Sequence, residues 1–520
     1  MSGAPTEDPR YARRVLAVLT AVYALNYLDR QILSILAEDV KRDLALSDAQ
    51  IGFLYGTAFA VFYAVFGLPL GRLADSWTRT RVIAWGLGVW SLMTALSGMA
   101  RSFAQLAGAR FGVGVGEASA NPASFSLIAD YFGPERRATA MAIYQTGIYI
   151  GSGLGLGIGG LVVARWDHAF AGTLAPFGLK GWQVAFFVVG IPGLVLAPFV
   201  RRLAEPQRGR LDAMITPNSA HPFRDTLLEL RAVLPPLTVV HLCLVGAGRR
   251  VIAYNLAAAA VIAAVAWWLS VGLGNPVQWV ALGVGLYAAL SWAQALRLRD
   301  RASFALMFEA RAPRLAALGF AFIAAVGYGV NFWTVPFFIR VHGMERAQAG
   351  LTLGGIHALA GWTGVTLGGV VADRWRRRTP AGRLYTTMLA ASVPIPFALA
   401  MLRLETTSTA LVCYAVWSVL AGCWGGAAVA VIQDLVLPRM RGTAAAVYLL
   451  LATFVGLAIG PYAIGRLSQA TGDLGLAIQF GLVWDGAARV CLAGAARHLA
   501  SDEAGMLARA RAAGEPIADG

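Results

Sequence analysis

Long apolar runs are the feature that most restricts what this chain can fold into. The hydrocarbon core of a bilayer is about 30 Å thick, and a helix needs roughly 20 mainly apolar residues to cross it. Of the 520 residues, 58% are hydrophobic and only 14% are charged, which leaves too little polar surface for several water-soluble domains. The sequence therefore predicts an all-α polytopic membrane protein with fourteen spans, at residues 15–37, 51–73, 82–99, 103–131, 138–164, 182–200, 251–273, 277–296, 315–339, 347–372, 384–402, 408–436, 443–467 and 474–496.

The runs divide the chain into two bundles of six spans with a linker between them. The predicted parts are an N-terminal tail, a first bundle, a linker, a second bundle and a C-terminal tail, at residues 1–14, 15–200, 201–312, 313–496 and 497–520.

The linker contains two of the predicted spans, which we expect to form a hydrophobic hairpin over about residues 251–296. Two spans leave the second bundle starting on the same side of the membrane as the first, whereas one or three would invert it. The simplest interpretation of the hairpin is a peripheral packing element with no transport role. Residues 232–248 are predicted to form an interfacial or re-entrant segment.

The net charge of +15 would suit a nucleic-acid-binding protein, but the positions of the arginines argue against that class. They lie in short clusters on alternate connections between apolar runs, which is the positive-inside pattern of a membrane protein. This pattern predicts that both termini are cytoplasmic. Abundant arginine and alanine beside few lysines favour a bacterial inner membrane. The clusters are Arg79 with Arg81, Arg136 with Arg137, Arg201 with Arg202, Arg374 to Arg378, and Arg439 with Arg441.

The cysteines and glycines indicate no cofactor or metal site. All four cysteines lie in apolar stretches without C-x-x-C spacing, so neither a disulfide framework nor a zinc site is expected. The glycine-rich stretch at residues 147–160 follows no strand, and in a membrane such glycines let helices approach closely.

An internal repeat relates the two bundles. The segment GRLAD at residues 71–75 recurs as GVVAD at 369–373, about 298 residues later. The pattern D-x-x-x-P-x-x-R-x-T-A-x-x-x-Y begins at Asp130 and again at Asp434, about 304 residues later. Two motifs that recur in order at nearly one offset predict two related halves with a central pathway between them.

Residues 71–81 resemble the motif G-x-L-A-D-R-x-G-R-[RK] of the major facilitator superfamily, from which Ser76 and Thr78 depart. Three further segments resemble the spinster subfamily: NYLDR at 26–30, GVGEA at 114–118 and RVHG at 340–343. The resemblance covers roughly residues 11–210 and 300–470. It implies the major facilitator fold, secondary transport by alternating access, and an amphipathic lipid substrate such as a lysophospholipid or a sphingosine-phosphate-like molecule. We expect a monomer.

Ionisable residues inside the first and fourth spans are the strongest candidates for chemistry. Each such residue costs at least about 2.5 kcal/mol near the bilayer centre and usually faces a cavity or a partner. Asp29 and Arg30 lie at nearly the same depth as Glu117, because each site is about 20 Å from the arginine-rich end of its span. We hypothesise that Asp29 and Glu117 compete for Arg30 and so couple proton binding to transport; the alternative is a static ion cluster. Arg110 is either a proton-relay residue or a structural anchor.

The resemblance assigns the repeated loop motifs to a gate at the cytoplasmic face. A carboxylate near a helix N-terminus gains about 0.3 to 1 kcal/mol, and several such contacts made in one state bias a two-state equilibrium. The alternative, orientation by the positive-inside rule alone, explains the arginines but not the aspartates. The predicted gating residues are Gly71, Asp75, Arg79, Asp130, Arg137, Asp373, Arg374, Asp434 and Arg441.

Polar and aromatic residues within the spans are candidates for substrate binding, although each alone is more often a packed helix residue. They are Tyr23, Asn26, Gln145, Tyr149, Asn331, Trp333, His357 and Trp362.

The sequence therefore predicts a proton-coupled secondary transporter, and the spinster-like resemblance implies that its substrate is an amphipathic lipid. The alternative within this class is a proton-coupled transporter of other amphipathic organic anions or drugs. An intramembrane enzyme would need a nucleophile with a base, or metal ligands, at matching depths, and no histidine lies in such a pattern. A membrane receptor would not require the duplicated gating loops.

Overall fold

The computed structural model describes residues 8–208, 211, 220–437 and 440–515, and within these ranges it contains helices and no β-strand. The outermost residues of both predicted tails lie outside the described residues, as does Arg439 of the predicted arginine clusters.

The described residues of the first half form helices α1 to α8. Two predicted spans are each divided into two helices, because Gly56 separates α2 from α3, and Ala118 with Ser119 separates α5 from α6. The bounds of α1 to α8 are Pro9–Asp43, Asp48–Tyr55, Thr57–Ser76, Arg79–Ser97, Phe103–Glu117, Ala120–Tyr131, Pro134–Ala169 and Gly181–Arg201.

The first two helices that the structure describes in the linker form a sharply bent pair, and the predicted hairpin follows them. The chain turns by 111° between α9 and α10, and α10 lies within the segment predicted to be interfacial or re-entrant. Helices α11 and α12 form the hairpin. The bounds of α9 to α13 are Pro222–Val233, Leu237–Leu244, Arg249–Leu273, Pro276–Arg299 and Arg301–Phe304, and a π-helical segment follows at Ala305–Glu309.

The second half contains helices α14 to α24. A π-helical segment, Ala452–Leu457, lies between α20 and α21. The bounds of α14 to α24 are Arg311–Arg340, Arg346–Arg376, Gly382–Ala390, Ile395–Arg403, Thr407–Gly422, Gly425–Asp434, Arg441–Leu451, Ala458–Thr471, Leu474–Gly481, Val483–Ala504 and Met506–Ala512.

Local sequence signals set several of the helix ends. Ser102 precedes α5, and its hydroxyl accepts a hydrogen bond from the backbone N–H of Gln105 at 3.3 Å, which satisfies one free donor of the first turn. Gly472 ends α21 in the left-handed conformation, with φ of 71°, which glycine adopts without steric cost. Asp473 then caps α22 by accepting from the N–H of Leu476 at 3.0 Å.

Eleven helices or joined helix pairs among the described residues are long and apolar enough to cross a bilayer, and the bent α9–α10 pair would make twelve. Three further predicted spans, formed by α1, α4 and the α5–α6 pair, do not meet this criterion. Two of these three carry the ionisable residues singled out above, which lower the hydropathy of α1 and α5. The total of fourteen spans therefore stays a prediction.

The chain forms two compact units, each built from separate segments of sequence. The described residues of unit 1 fall within Met1–Ser47, Phe62–Leu230 and Phe338–Ala358. The last segment belongs to the second half of the sequence and is fixed to α1 by two ion pairs. Arg340 contacts Glu38 at 2.6 Å, and Arg346 donates two hydrogen bonds of 2.6 Å to the buried carboxylate of Asp39.

Glycines hold α1 and α7 in close contact within unit 1. A Cβ added at Gly147 would lie 2.9 Å from the carbonyl oxygen of Thr20, and one added at Gly155 would lie 2.8 Å from that of Leu28. At Gly151, between them, an added Cβ would overlap the carbonyl oxygen of Ala24. Only glycine permits this backbone approach, which is the role expected for the glycine-rich stretch.

Replacing Gly151 by alanine is expected to destabilise the protein by about 1 to 3 kcal/mol, because α1 and α7 must separate to admit the methyl group. The measurement is thermal unfolding of the purified protein in detergent. The matched control is Gly88→Ala on α4, where an added Cβ meets no atom within 4 Å. An equal loss of stability in both variants would contradict the proposed contact.

The described residues of unit 2 fall within Asp48–Val61, Arg231–Phe337 and Leu359–Gly520. Its first segment comes from the first half of the sequence and packs against α21. Asp48 accepts a hydrogen bond of 2.7 Å from the hydroxyl of Ser468, and Thr57 donates one of 2.6 Å to the carbonyl oxygen of Ala458. All four residues are buried or nearly so.

The hairpin belongs to unit 2 and is held together by a buried polar network. The amide of Asn255 on α11 donates to Ser291 at 2.9 Å and to Gln294 at 2.7 Å, both on α12. Tyr287 donates to Asn255 at 2.7 Å and accepts from Thr238 of α10 at 2.9 Å. Such bonds fix the register of apolar helices in a membrane.

Candidate functional site

The four residues of the predicted proton-coupling cluster, Asp29, Arg30, Arg110 and Glu117, lie together in unit 1. The Nε of Arg30 donates to Oε2 of Glu117 at 2.7 Å. The Nη1 of Arg110 donates to the backbone oxygen of Asp29 at 3.3 Å. The side chains of Arg110 and Glu117 are fully buried, and that of Arg30 is 11% exposed. Arg30 of α1 and Glu117 of α5, which the sequence places at the same depth, are therefore in contact.

Close contact between α4 and α5 completes the cluster. A Cβ added at Gly116 would lie 2.7 Å from the backbone nitrogen of Trp90, so glycine lets α5 approach α4. Thr94 of α4 consequently reaches Asp29, to which it donates a hydrogen bond of 3.2 Å. The neighbouring Glu117 ends α5, and the chain breaks there before α6.

The two acids have different partners in this conformation. Arg30 pairs with Glu117, whereas the carboxyl of Asp29 accepts from Thr94. The sequence predicts that both acids compete for Arg30, but in this conformation Asp29 accepts a hydrogen bond from Arg110 through its backbone oxygen. Two acids and two bases in one buried site give a balanced charge when all are ionised.

One oxygen of each acid remains without a hydrogen-bond partner among the described residues. These atoms are Oδ1 of Asp29 and Oε1 of Glu117, and Oδ1 of the adjacent Asn26 is in the same condition. A buried carboxylate with an unsatisfied oxygen is costly, while a protonated carboxyl is less so. The two oxygens are therefore suitable positions for a proton.

Aromatic rings surround the guanidinium of Arg30. Its carbon lies 4.8 Å from the ring centre of Tyr27 and 5.0 Å from that of Tyr63, within the range of cation–π attraction. Tyr23 contacts Tyr27 edge-on at 5.3 Å and stacks on Tyr144 at 4.4 Å. Tyr27 lies within the NYLDR motif and was detectable from sequence, whereas Tyr63 had no sequence signal.

The predicted substrate-binding residues are dispersed. Tyr23 and Asn26 border the charge cluster, Tyr149 and His357 are partly buried in unit 1, and Gln145 is exposed there.

Three of these candidates lie in unit 2. Trp333 is fully buried and donates to the carbonyl oxygen of Pro461 at 2.8 Å, and Asn331 donates to that of Gly327 at 2.8 Å. Trp362 is 57% exposed. The contacts of Trp333 and Asn331 are those of packed helix residues.

Arg79 is the centre of the predicted gate in unit 1. This fully buried residue donates through Nε to Glu205 at 2.7 Å, and through Nη1 to the hydroxyl of Ser126 at 2.8 Å and to the carboxylate of Asp130. Its Nη2 donates to the carbonyl oxygen of Pro206 at 3.0 Å. Arg79 therefore joins the start of α4, the end of α6 and the segment after α8.

Asp75 and Gly71 lie outside this buried network. The Asp75 side chain is 67% exposed and lies 3.9 Å from Nη1 of Arg208, whose Nη2 donates to the carbonyl oxygen of Ala74 at 2.8 Å. Burial lowers the pKa of Arg208, and the nearby positive charge of Arg79 adds to this effect, while the nearby carboxylates oppose it.

The other two gate positions of unit 1 make simple contacts. Gly71 has ordinary packing space beside Pro122. Arg137 donates to the carbonyl oxygens of Ala129 at 2.9 Å and Phe132 at 3.4 Å, and so covers the end of α6.

Unit 2 repeats this arrangement with a residue that sequence reasoning missed. Arg383 donates to Asp373 at 2.9 Å and to Asp434, which lies 51 residues later, as Asp130 does from Arg79. The predicted partners Arg374 and Arg441 are exposed. The offset of 304 residues, added to Arg79, identifies Arg383.

Each unit also supplies a glutamate that was not predicted. Glu205 contacts Arg79, and Glu503 accepts from Nη2 of Arg376 at 3.0 Å. The two glutamates are 298 residues apart, so the first offset of the repeat identifies this pair. Among the described residues there is no group of three or more His, Cys, Asp or Glu side chains able to hold a metal ion.

These paired networks in a chain of apolar helices suggest a duplicated membrane transporter, and a family comparison decides the class. The family model described as Major Facilitator Superfamily matches residues 19–461. The chain belongs to the major facilitator superfamily. The predicted all-α membrane fold is confirmed, and the protein is a transporter of this superfamily rather than an enzyme.

Similar proteins support the spinster-like resemblance. Human protein spinster homolog 1 is 26% identical over 486 residues, which cover 89% of this chain and 74% of the relative. A Mycolicibacterium smegmatis protein named MFS-type efflux pump is 29% identical over 475 residues, 91% of this chain and 88% of the relative. An Escherichia coli protein named probable galactarate/D-glucarate transporter is 32% identical over 189 residues, 35% of this chain and 39% of the relative.

Solved structures share the fold. A bacterial homolog of the human lysosomal transporter spinster, in an inward-facing and unoccupied conformation, has a TM-score of 0.67 at 24% identity, over 97% of this chain and 98% of that one. A D-xylose-proton symporter has a TM-score of 0.62 at 13% identity, over 94% of this chain and 98% of that one.

Proposed function

We propose that this transporter is driven by a proton gradient and moves an amphipathic lipid with an anionic headgroup, such as a lysophospholipid or a sphingosine-phosphate-like molecule. The observation that carries the proposal is the buried cluster of two acids and two arginines in unit 1, in which each acid has one unsatisfied oxygen. Ionisable groups inside membrane helices are costly and are usually retained for transport or proton transfer.

Glu117 is the proposed proton-binding residue. When it is ionised, its carboxylate holds Arg30 at 2.7 Å. Protonation removes the charge that attracts the guanidinium, so Arg30 becomes available to another anion. Proton binding and substrate binding are thereby linked through one side chain, and by linkage each changes the affinity for the other.

Arg30 is the proposed contact for the substrate headgroup. Of the four cluster residues, it has the largest exposed fraction, 11% of its side chain. Its aromatic neighbour Tyr63 belongs to the same helix as Phe62, whose ring stacks on Phe111 at 4.4 Å and lies 6.4 Å from Phe66. These half-buried rings offer an apolar surface for an acyl chain beside a positive charge.

The resemblance to the spinster subfamily bears on the class of substrate. The spinster-like resemblance, which human protein spinster homolog 1 supports, implies the lipid, and other amphipathic organic anions or drugs are the second candidate. We further propose that the protein is a monomer in a bacterial inner membrane. Both termini are proposed to be cytoplasmic, because the arginine clusters lie on the predicted inner connections.

The test is counterflow in proteoliposomes loaded with unlabelled lysophosphatidylglycerol and supplied with the same lipid carrying a label. We expect the label to enter without chemical change and to accumulate further when a pH gradient is imposed. The matched control is the uncharged monoacylglycerol of the same chain length, which lacks the anion for Arg30. Equal transport of both lipids, or conversion of the label into a product, would contradict the proposal.

A further inference from the structure

A cavity of about 830 Å³ lies in unit 1 between the first turns of α1 and α7. Arg13 of α1 and Arg136 of α7 border it, together with the ring of Tyr131 at the end of α6. Leu16 and Ile143 also line it and are apolar. The volume is within the range of small-molecule sites, and the two kinds of lining residue divide it into a basic end and an apolar end.

The described residues at the basic end carry excess positive charge. Arg13 and Arg136 are both exposed, and no ion pair joins either of them to a carboxylate of the described residues. Asp8, the one acid among the described residues that line the cavity, caps α1 by accepting from the backbone N–H of Arg10 at 2.8 Å. Arg13 donates locally to the carbonyl oxygen of Pro9 at 3.3 Å, which leaves its charge unneutralised.

The apolar end continues toward the hydrocarbon region. Leu16 is buried, and Ile143 is 45% exposed on the surface of α7. Leu16 lies three residues after Arg13 on α1, a rise of about 5 Å, and Ile143 lies seven residues after Arg136 on α7, a rise of about 10 Å. The lining therefore suits an amphipathic molecule, with its anion beside the arginines and its chain beside Leu16 and Ile143.

We infer that this cavity binds an anionic phospholipid of the surrounding membrane. Arginines near an anionic membrane surface attract the headgroups of acidic lipids, and here two of them line one cavity. Asp29 lies 16 residues beyond Arg13 on α1, a rise of about 24 Å. The lipid bound in the cavity is therefore separate from the cargo proposed for the charge cluster.

The bound lipid would act on transport through the α1–α7 contact. The cavity lies at one end of the helix pair, and the glycines at 147, 151 and 155 hold the two backbones together from there toward Asp29. A lipid that bridges Arg13 and Arg136 strengthens this contact and stabilises unit 1.

The test measures thermal unfolding of the full-length protein in dodecylmaltoside micelles with increasing phosphatidylglycerol. We expect this lipid to raise the unfolding temperature, with phosphatidylcholine and soluble glycerol phosphate having little effect. The double variant Arg13→Gln, Arg136→Gln is expected to lose on the order of ten-fold or more in apparent lipid affinity. Ile143→Trp, which fills the cavity without changing charge, is expected to weaken binding as well.

The matched control is the double variant Arg249→Gln, Arg250→Gln, which removes the same charge from an exposed arginine pair at the start of α11. It should keep the affinity of the unmodified protein. Three results would overturn the inference: unchanged affinity in both cavity variants, an equal loss in the control, or an equal stabilisation by phosphatidylcholine or glycerol phosphate. Because no transport is measured, the outcome is independent of the proposed cargo and of proton coupling.

Discussion

Replacing Glu117 by glutamine is expected to reduce transport driven by a pH gradient by roughly 5- to 150-fold. This factor corresponds to a typical coupling free energy of about 1 to 3 kcal/mol between two binding sites. Glutamine resembles the protonated acid in size and neutrality but cannot release a proton. Arg30 then loses its charged partner at 2.7 Å in every state of the cycle. Exchange of substrate without a gradient should continue, because it requires no net proton movement. Proteoliposomes with and without an imposed pH gradient provide both measurements.

The control for this prediction is Glu309→Gln. Glu309 also pairs with an arginine, Arg301, at 2.7 Å, but both side chains are about 40% exposed. This variant should transport with the pH dependence of the unmodified protein. A Glu117→Gln protein that still accumulates substrate in response to the gradient would exclude Glu117 as the coupling residue.

Replacing Arg79 by glutamine is expected to destabilise the protein by roughly 3 to 5 kcal/mol, the usual result of breaking a buried ion pair by removing one partner. The change leaves the carboxylates of Asp130 and Glu205 without the cation that bridges them. The counterpart Arg383→Gln should cost less, about 1 kcal/mol, because Arg383 and Asp434 are 21% and 31% exposed and water screens their interaction. Thermal or denaturant unfolding in detergent gives both values.

Arg81 provides the control in the same loop. It is exposed and its guanidinium lies 5.9 Å from the ring centre of Trp77. Arg81→Gln removes the same charge two residues away and should change stability by less than about 1 kcal/mol. If Arg79→Gln is no less stable than Arg81→Gln, the buried network does not support the fold as described.

The sequence was sufficient for the architecture because bilayer thickness imposes a length on every span. It also predicts spans at α1 and at the α5–α6 pair, which stay predictions because the ionisable residues lower the hydropathy of these helices. The broken helices were not predicted. Gly56 and Ala118 lie within apolar runs, and hydropathy alone does not show where a helix is interrupted.

The candidate site could be predicted as far as depth along a helix allows. Counting residues from the arginine-rich ends placed Arg30 and Glu117 at one height, and the two meet. The partner of Asp29 could not be predicted in this way, because it depends on the rotation of each helix. Thr94 reaches Asp29 through the close α4–α5 contact, and nothing in the apolar run around it distinguishes this threonine from others.

The predicted gating residues of unit 2 show how a small difference between the two repeats leads residue matching to the wrong arginine. The first motif recurs after 298 residues and the second after 304, so six residues are added between them in the second half. Arg374 is the predicted counterpart of Arg79 because it directly follows Asp373 of the repeated motif, but its side chain is exposed. Matching by the second offset selects Arg383, which makes the contacts.

The division of each compact unit among separate stretches of sequence has a consequence for biogenesis and engineering. Asp48–Val61 is synthesised early but packs with α21, which is made some 400 residues later, and Phe338–Ala358 joins a bundle whose other helices were inserted long before. During translation, unit 1 therefore stays incomplete until Phe338–Ala358 is made, and Asp48–Val61 of unit 2 stays without its partner until α21 is made. If the gene is divided within the linker, the first polypeptide contains Asp48–Val61 of unit 2 and the second contains Phe338–Ala358 of unit 1. The two polypeptides should therefore fold only when they are made together in one cell.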